Sequence, residues 1–193
     1  MLRNLTRGIL MFGVAFSVAA QIRAFGETGD EQYKKKYERI VGNIRTEMRG
    51  EMRSDEAKYE QDIRYSVEIS SVVNAYARHQ SGDDLTVMTT GFLYLIDNLS
   101  TAMALGGKFD ALPCAEAYFA EASDVFARNR ELESNGKPPK YSLASAFEYF
   151  PNHRDVCPSI GQHQFEQNIN GVDDTRELSI RECLKYILLH ELA

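Results

Sequence analysis

The sequence lacks several motifs that mark enzyme active sites. It has no glycine-rich phosphate loop, no HExxH zinc pair, no CxxC dithiol pair and no GxSxG nucleophile turn. These absences remove the commonest patterns of nucleotide-binding proteins, zinc peptidases, dithiol oxidoreductases and serine hydrolases. Aspartate and glutamate are plentiful, but they follow exposed helix faces, so no carboxylate pair stands out as catalytic. We therefore expect a protein that is not an enzyme and that uses no cofactor.

Clustered positive charge is also lacking. The 193 residues carry 22 Lys and Arg against 28 Asp and Glu, a formal net charge of −6. Contacts with nucleic-acid phosphates need clustered Lys and Arg. The acidic balance therefore predicts that no nucleic acid is bound.

After the N-terminal region, no second hydrophobic run is long and charge-free enough to span a bilayer. The first residues combine Arg3 and Arg7, an apolar run over 8–20 and small residues for cleavage after Ala20 or Ala24. That pattern predicts a signal peptide over 1–20 or 1–24 and a mature protein in the periplasm or outside the cell. The alternative is a retained anchor, but the run is shorter than the roughly 20 residues that a spanning helix needs. Cleavage after Ala20 removes two arginines and no acids, which takes the net charge from −6 to −8.

Helical periodicity dominates the rest of the chain. Residues 29–64 are predicted to form a charged helical N-terminal segment broken near Gly50, either packed by one edge or serving as a partner-binding arm. Its thin apolar stripe is predicted at Tyr33, Tyr37, Ile40, Ile44 and Met48. Residues 65–193 are predicted to form a helical core domain. Its first helix is indicated by a stripe at Tyr65, Ile69, Val72, Val73 and Tyr76.

A central helix is predicted between a cap at Asp83 or Asp84 and the glycine pair 106–107, with Asp97 on its polar side. Another helix opens at Leu112 to Cys114, and a short one over 141–150 stops at Pro151. A long loop over 151–173 precedes the last helix, whose apolar face is predicted to include Cys183. The fold class is therefore all-α, a single-domain helical bundle of about six helices after the signal peptide.

The segment PNHRDVCPSIGQH, residues 151–163, is the best metal candidate in the chain. It contains the ligand types His153, Asp155, Cys157 and His163. Zinc needs about four such side chains converging in a tetrahedron. Because this spacing matches no ligand pattern and nothing makes the side chains converge, we expect no metal here.

Three cysteines, Cys114, Cys157 and Cys183, lie in the exported part, where disulfides are the default use. Three is an odd number, so one thiol stays free or pairs between chains. A helical hairpin separates Cys114 from Cys157, and cross-linking a loop of that size stabilises by roughly 3–4 kcal/mol. The competing pair, Cys157 with Cys183, would join the loop to the last helix. Spacing does not decide between the two pairs.

The order of features over roughly 91–157 resembles the Rap/Tai-type immunity proteins of type VI secretion. The similarity is carried by Gly91 early in a helix, by Pro113-Cys114 before the next helix, and by Phe150-Pro151 followed by Cys157. The resemblance favours the Cys114–Cys157 pair. It implies a non-catalytic periplasmic protein, often a homodimer, that binds a secreted cell-wall-degrading toxin and blocks its active site. An acidic chain would suit a basic enzyme through electrostatic steering.

Two alternatives belong to other classes. One is a periplasmic structural or interaction module without a toxin target, whose contact surface is the charged segment 29–64. The other is a hydrolase that uses carboxylates or histidines which the sequence does not single out.

Overall fold

The computed structural model describes residues 27–70, 72–80, 83–153, 155–157 and 171–192. Within these ranges it has three strands, β1 (Ile63–Glu68), β2 (Ala75–Gln80) and β3 (Asp83–Thr89), and six helices. The helices are α1 (Glu27–Glu51), α2 (Ser54–Asp62), α3 (Thr90–Lys108), α4 (Leu112–Ser134), α5 (Ala146–Asn152) and α6 (Val172–Leu192). The prediction of a mostly helical protein is confirmed. The finer prediction of an all-α fold is wrong, because β1, β2 and β3 build a sheet. The predicted signal peptide and most of the predicted loop 151–173 lie outside the described residues.

The sheet has the order β1-β3-β2. β1 runs parallel to β3 from Ile63 opposite Asp84 to Glu68 opposite Thr89. β2 runs antiparallel to β3, with Ala75 opposite Met88. The central strand β3 then leads directly into α3, so the sheet is joined to the helical part at its middle strand.

The helix predicted from Tyr65 to Tyr76 is wrong, and the reason is visible in IRYSVE. Apolar and polar residues alternate there, and the buried side chains are Ile63 and Val67, four residues apart, with exposed residues on either side. Alternation with a period of two places Ile63 and Val67 on one buried face of a strand and the polar residues between them on the other face. Pairing with β3 supplies the main-chain hydrogen bonds that a helix would otherwise make internally.

The start of the central helix is also corrected. Its N-cap is Thr89, whose side-chain oxygen accepts a hydrogen bond from the Phe92 N–H at 3.2 Å, and not Asp83 or Asp84. The Thr89 hydroxyl also donates to the Asn74 carbonyl oxygen at 2.9 Å. One side chain therefore ends the strand, begins the helix and holds the connection between β1 and β2.

Two large hydrophobic cores and a small cluster around Val73 are present in the described part of the molecule. One lies between α3, α4 and α5 and includes Tyr118, Phe150 and Cys157. The other is formed by α1, α3, α6 and the sheet, and the predicted α1 stripe contributes to it, with Tyr37, Ile40, Ile44 and Met48 all buried. No helix in the described ranges is both long and apolar enough to cross a membrane.

Two predictions about single side chains are wrong. Asp97 was expected on a polar helix face, but it is largely covered, with its side chain 14% exposed, and it pairs with Arg176 of α6 at 2.7 Å. Tyr33 of α1 donates to its other carboxylate oxygen. Cys183 was expected on a buried face, but it is an exposed free thiol, because Ile180, Leu184 and Leu188 point into the core instead.

Candidate functional site

The Cys114–Cys157 disulfide organises one corner of the molecule. The two Cα atoms are 5.3 Å apart, within the usual range for a disulfide, and both residues are buried. The bridge ties the turn after α5 to the first turn of α4 across 43 positions of sequence. The structure thus forms the first of the two candidate pairs, and the alternative pair with Cys183 is not formed.

The metal candidates are not brought together. Cys157 uses its sulfur in the disulfide, Asp155 is exposed to solvent, and His163 lies outside the described residues. Within the described ranges, no group of three or more His, Cys, Asp or Glu side chains is arranged to hold a metal ion.

His153 is held in one orientation by its own helix. Its Nδ1 lies 2.9 Å from the Tyr149 carbonyl oxygen, and its ring stacks on the Tyr149 ring with 3.7 Å between centroids. A carbonyl oxygen only accepts, so Nδ1 carries the proton in this bond. Nε2 then faces the Glu121 carboxylate at 3.8 Å. This arrangement fixes the half-exposed His153 ring beside Glu121, in the N-terminal half of α4, which also carries Cys114 of the disulfide.

Two carboxylates lie near the Tyr149 hydroxyl in the same corner. Burial raises the pKa of the Tyr149 hydroxyl, and the carboxylates of Glu121 and Asp155 raise it further, because a phenolate would repel them. This corner therefore combines a buried tyrosine hydroxyl, two carboxylates and the His153 ring.

The segment between α4 and α5, residues 137–145, is called the strap. It begins after Gly136, whose φ of 69° lies in the left-handed region that glycine adopts without strain. The Lys137 N–H donates back to the Leu132 carbonyl oxygen at 2.9 Å, which closes the end of α4. The strap has neither helical nor strand hydrogen bonding, so its position must be set by side chains.

Asn129 of α4 provides the main attachment. Its Oδ1 accepts the N–H groups of Lys140 and Tyr141 at 3.0 and 2.9 Å, and its Nδ2 donates to the Tyr141 carbonyl oxygen at 2.8 Å. The residue is fully buried. A buried amide with these bonds replaces the main-chain partners that a regular element would offer.

Two further buried side chains hold the rest of the strap. The Tyr118 hydroxyl donates to the Ala144 carbonyl oxygen at 2.7 Å. Asn98 of α3 accepts the Ala146 N–H at 2.9 Å, where α5 begins. The strap is therefore fastened to α3 and α4 from its middle to its end, and it forms a fixed edge and not a free loop.

A groove of about 720 Å³ runs between α4 and the strap. On the α4 side, Asp124 pairs with Arg128 at 2.7 Å, and the Arg128 guanidinium lies 5.4 Å above the Tyr141 ring. The α4 wall therefore has Glu121 near one end, and the Asp124–Arg128 ion pair extends from its middle to its other end. The groove is lined by Ala120, Glu121, Asp124, Val125, Arg128, Lys140, Tyr141 and Ser142.

Sequence reasoning missed the residues that hold the strap. Asn129 continues the buried positions Tyr118, Ala122 and Val125 at helical spacing, so it is a polar residue on an apolar stripe. A buried polar side chain needs hydrogen-bond partners. The position of Asn129 on this apolar stripe therefore indicated that its side chain hydrogen-bonds to another part of the chain.

The fold and the groove together define a mostly helical protein with a small mixed sheet and a disulfide-anchored surface groove. No family model, no curated protein and no solved structure matches this chain.

Proposed function

We propose that this chain is an exported binding protein that contacts a partner protein through the groove between α4 and the strap. The observation that carries the proposal is the attachment of the strap by Asn98, Tyr118 and Asn129. A surface that is rigid before binding loses little conformational entropy in the complex, which favours affinity.

We propose further that the partner is a secreted cell-wall-degrading hydrolase, by the similarity of residues 91–157 to Rap/Tai-type immunity proteins. The groove lies within that stretch. The acidic net charge of the chain supports a basic partner, because opposite charges accelerate encounter. The predicted signal peptide would bring the protein to the compartment where such an enzyme acts.

The charged helix α1 is less suited to be the contact surface. Its Glu47 pairs with Arg181 of α6, and its Glu51 pairs with Lys185 at 3.0 Å. Arg45 of α1 pairs with the fully buried Glu60 of α2. These charges are used within the chain, and this favours the groove over α1.

The test is a search for a secreted hydrolase encoded beside this protein, followed by binding and inhibition assays with that enzyme. We expect the purified mature chain to bind that enzyme and to suppress its release of cell-wall fragments. If no exported hydrolase of the producing cell binds, the proposed partner is wrong. Cell-wall cleavage by this chain itself, lost on changing one carboxylate, would establish an enzyme instead.

A further inference from the structure

We infer that a cavity between α1 and the sheet is a binding site for a small apolar carboxylate. The cavity belongs to the core formed by α1, α3, α6 and the sheet, whereas α4 and the strap belong to the other large core. This inference therefore does not rest on the proposed function, in which the groove beside α4 is the contact surface.

The cavity has a volume of about 220 Å³, and its walls come from α1, β1 and β3. Gly42 leaves part of the α1 wall without a side chain, and a Cβ added there would meet no atom within 4 Å. An apolar cavity of about 150 Å³ holds one benzene molecule. The space is therefore large enough for a six-membered ring with one small substituent.

The inner walls of the cavity are apolar. Val41 of α1, Val67 of β1 and Met88 of β3 line it, and all three are buried. An apolar body placed against them loses contact with water, which favours binding. The main part of the ligand should therefore be a hydrocarbon.

Thr86 of β3 supplies a polar group inside the cavity. Thr86 lies opposite Tyr65, and Met88 lies opposite Val67, so these side chains share the face of the sheet that borders the cavity. Thr86 is only 3% exposed, and its hydroxyl makes no hydrogen bond within the described part of the chain. Its oxygen is nevertheless accessible, unlike the sealed hydroxyl of Tyr37. Since a covered polar group without a partner costs free energy, a ligand that hydrogen-bonds to Thr86 gains affinity.

Arg45 of α1 adds unused donors to the same cavity. A guanidinium has five N–H groups. Three of those of Arg45 donate to the Glu60 carboxylate and to the main-chain oxygens of Glu60 and Ile63. The two on Nη1 have no acceptor among the described residues. The Arg45 side chain is only 19% exposed, so a carboxylate that accepts from Nη1 forms a charge-assisted bond in a largely covered place.

The charges around the cavity favour an anion over a cation. Arg45 and Arg49 share the single buried carboxylate of Glu60, which leaves one positive charge in that cluster. Glu38 lies at the other end of the α1 wall and pairs with Lys34 at 3.9 Å. The ligand should therefore place its carboxylate at Arg45 and Thr86 and its hydrocarbon body against Val41, Val67 and Met88.

The experiment is a titration of the purified mature protein with benzoate, followed by saturation-transfer NMR. Benzamide and benzylamine are the neutral and cationic analogues of similar shape. We expect benzoate to bind about tenfold or more tightly than either analogue, because only the carboxylate complements Arg45.

Two changes on the cavity wall locate the site. Thr86→Val removes the hydroxyl and should weaken benzoate binding by about tenfold, whereas Thr86→Ser keeps it and should bind within about threefold of the unaltered protein. Without ligand, Thr86→Val should unfold at the same urea concentration as the unaltered protein or at a higher one, because the hydroxyl it removes has no partner in the described part of the chain.

Gly42→Leu tests the site independently of Thr86. It fills the open part of the α1 wall and should abolish binding. Gly50→Leu is the matched control, because Gly50 is also an exposed α1 glycine with open space around it but does not line the cavity. Urea unfolding checks that each variant is folded.

Three results overturn the inference. The first is that benzamide or benzylamine binds as tightly as benzoate. The second is undiminished benzoate binding by Gly42→Leu or Thr86→Val. The third is that neither benzoate, cyclohexanecarboxylate nor isovalerate binds at millimolar concentration. None of these results bears on the hydrolase assay, which tests the proposed function separately.

Discussion

Replacing Asn129 with alanine tests the central structural argument, that one buried amide holds the strap. The change removes two accepted hydrogen bonds and one donated bond. Each such bond contributes about 1 kcal/mol net, and leaving a buried main-chain group without a partner costs about 1–3 kcal/mol. Water can reach the exposed Lys140 more easily than a core residue, so we expect a total loss of about 2–4 kcal/mol in the free energy of unfolding.

Urea unfolding with linear extrapolation measures this loss, and amide hydrogen exchange locates it. We expect the Lys140 and Tyr141 amides to exchange faster in the variant while the α3 amides keep their order of protection. Asn152→Ala is the matched control, because Asn152 is exposed and, among the described residues, its side chain makes one hydrogen bond, to the Glu148 carbonyl oxygen at 2.7 Å. The reasoning is refuted if Asn129→Ala costs no more than Asn152→Ala and both strap amides stay protected.

Three further predictions concern the packing, the disulfide and the ion pairs. Gly106→Ala should lower the free energy of unfolding in urea by about 1–3 kcal/mol, because the new Cβ would lie 3.1 Å from the Ala115 Cβ of α4. Gly107→Ala should be neutral or mildly stabilising, because a Cβ at Gly107 meets no atom within 4 Å. Cys157→Ser should cost about 2–5 kcal/mol, and the oxidised native protein should take up one maleimide, at the exposed third cysteine. Asp97→Asn breaks a largely covered ion pair and should lower the free energy of unfolding by about 1–3 kcal/mol. Asp124→Asn breaks an exposed ion pair and should lower it by less than about 1 kcal/mol. Equal losses for the two variants would contradict the argument from burial.

Much of the helical architecture could be predicted from local pattern. The α1 stripe at Tyr37, Ile40, Ile44 and Met48 is buried as its spacing indicated. The opening of α4 at Leu112 and its end before the glycine–proline segment also follow from residues within a few positions of each boundary.

The sheet was missed because two periodicities competed in one stretch. Tyr65, Ile69, Val72 and Tyr76 fall at helical spacing, while Ile63 to Glu68 alternate with period two. Neither pattern is decisive over six residues. The parallel partner strand β3 decides the outcome, and it lies about twenty residues further along the chain.

The candidate site could be predicted only in part. The Cys114–Cys157 pair was one of two open alternatives, and the meeting of the turn after α5 with the start of α4 selects it. The contact between Glu121 and His153, and the attachment of the strap to Asn129, join residues 32 and 11–12 positions apart. No local spacing rule relates such residues.

The sequence by itself determined the acidic balance, the buried stripe of α1 and the ends of α4, because each depends on composition or on neighbours within a turn or two. The export signal stays a prediction. Only the tertiary structure decided the sheet, the burial of Asp97, the exposure of Cys183 and the groove. Those features depend on which face of one element meets another, and that choice is made by the packing of the whole chain.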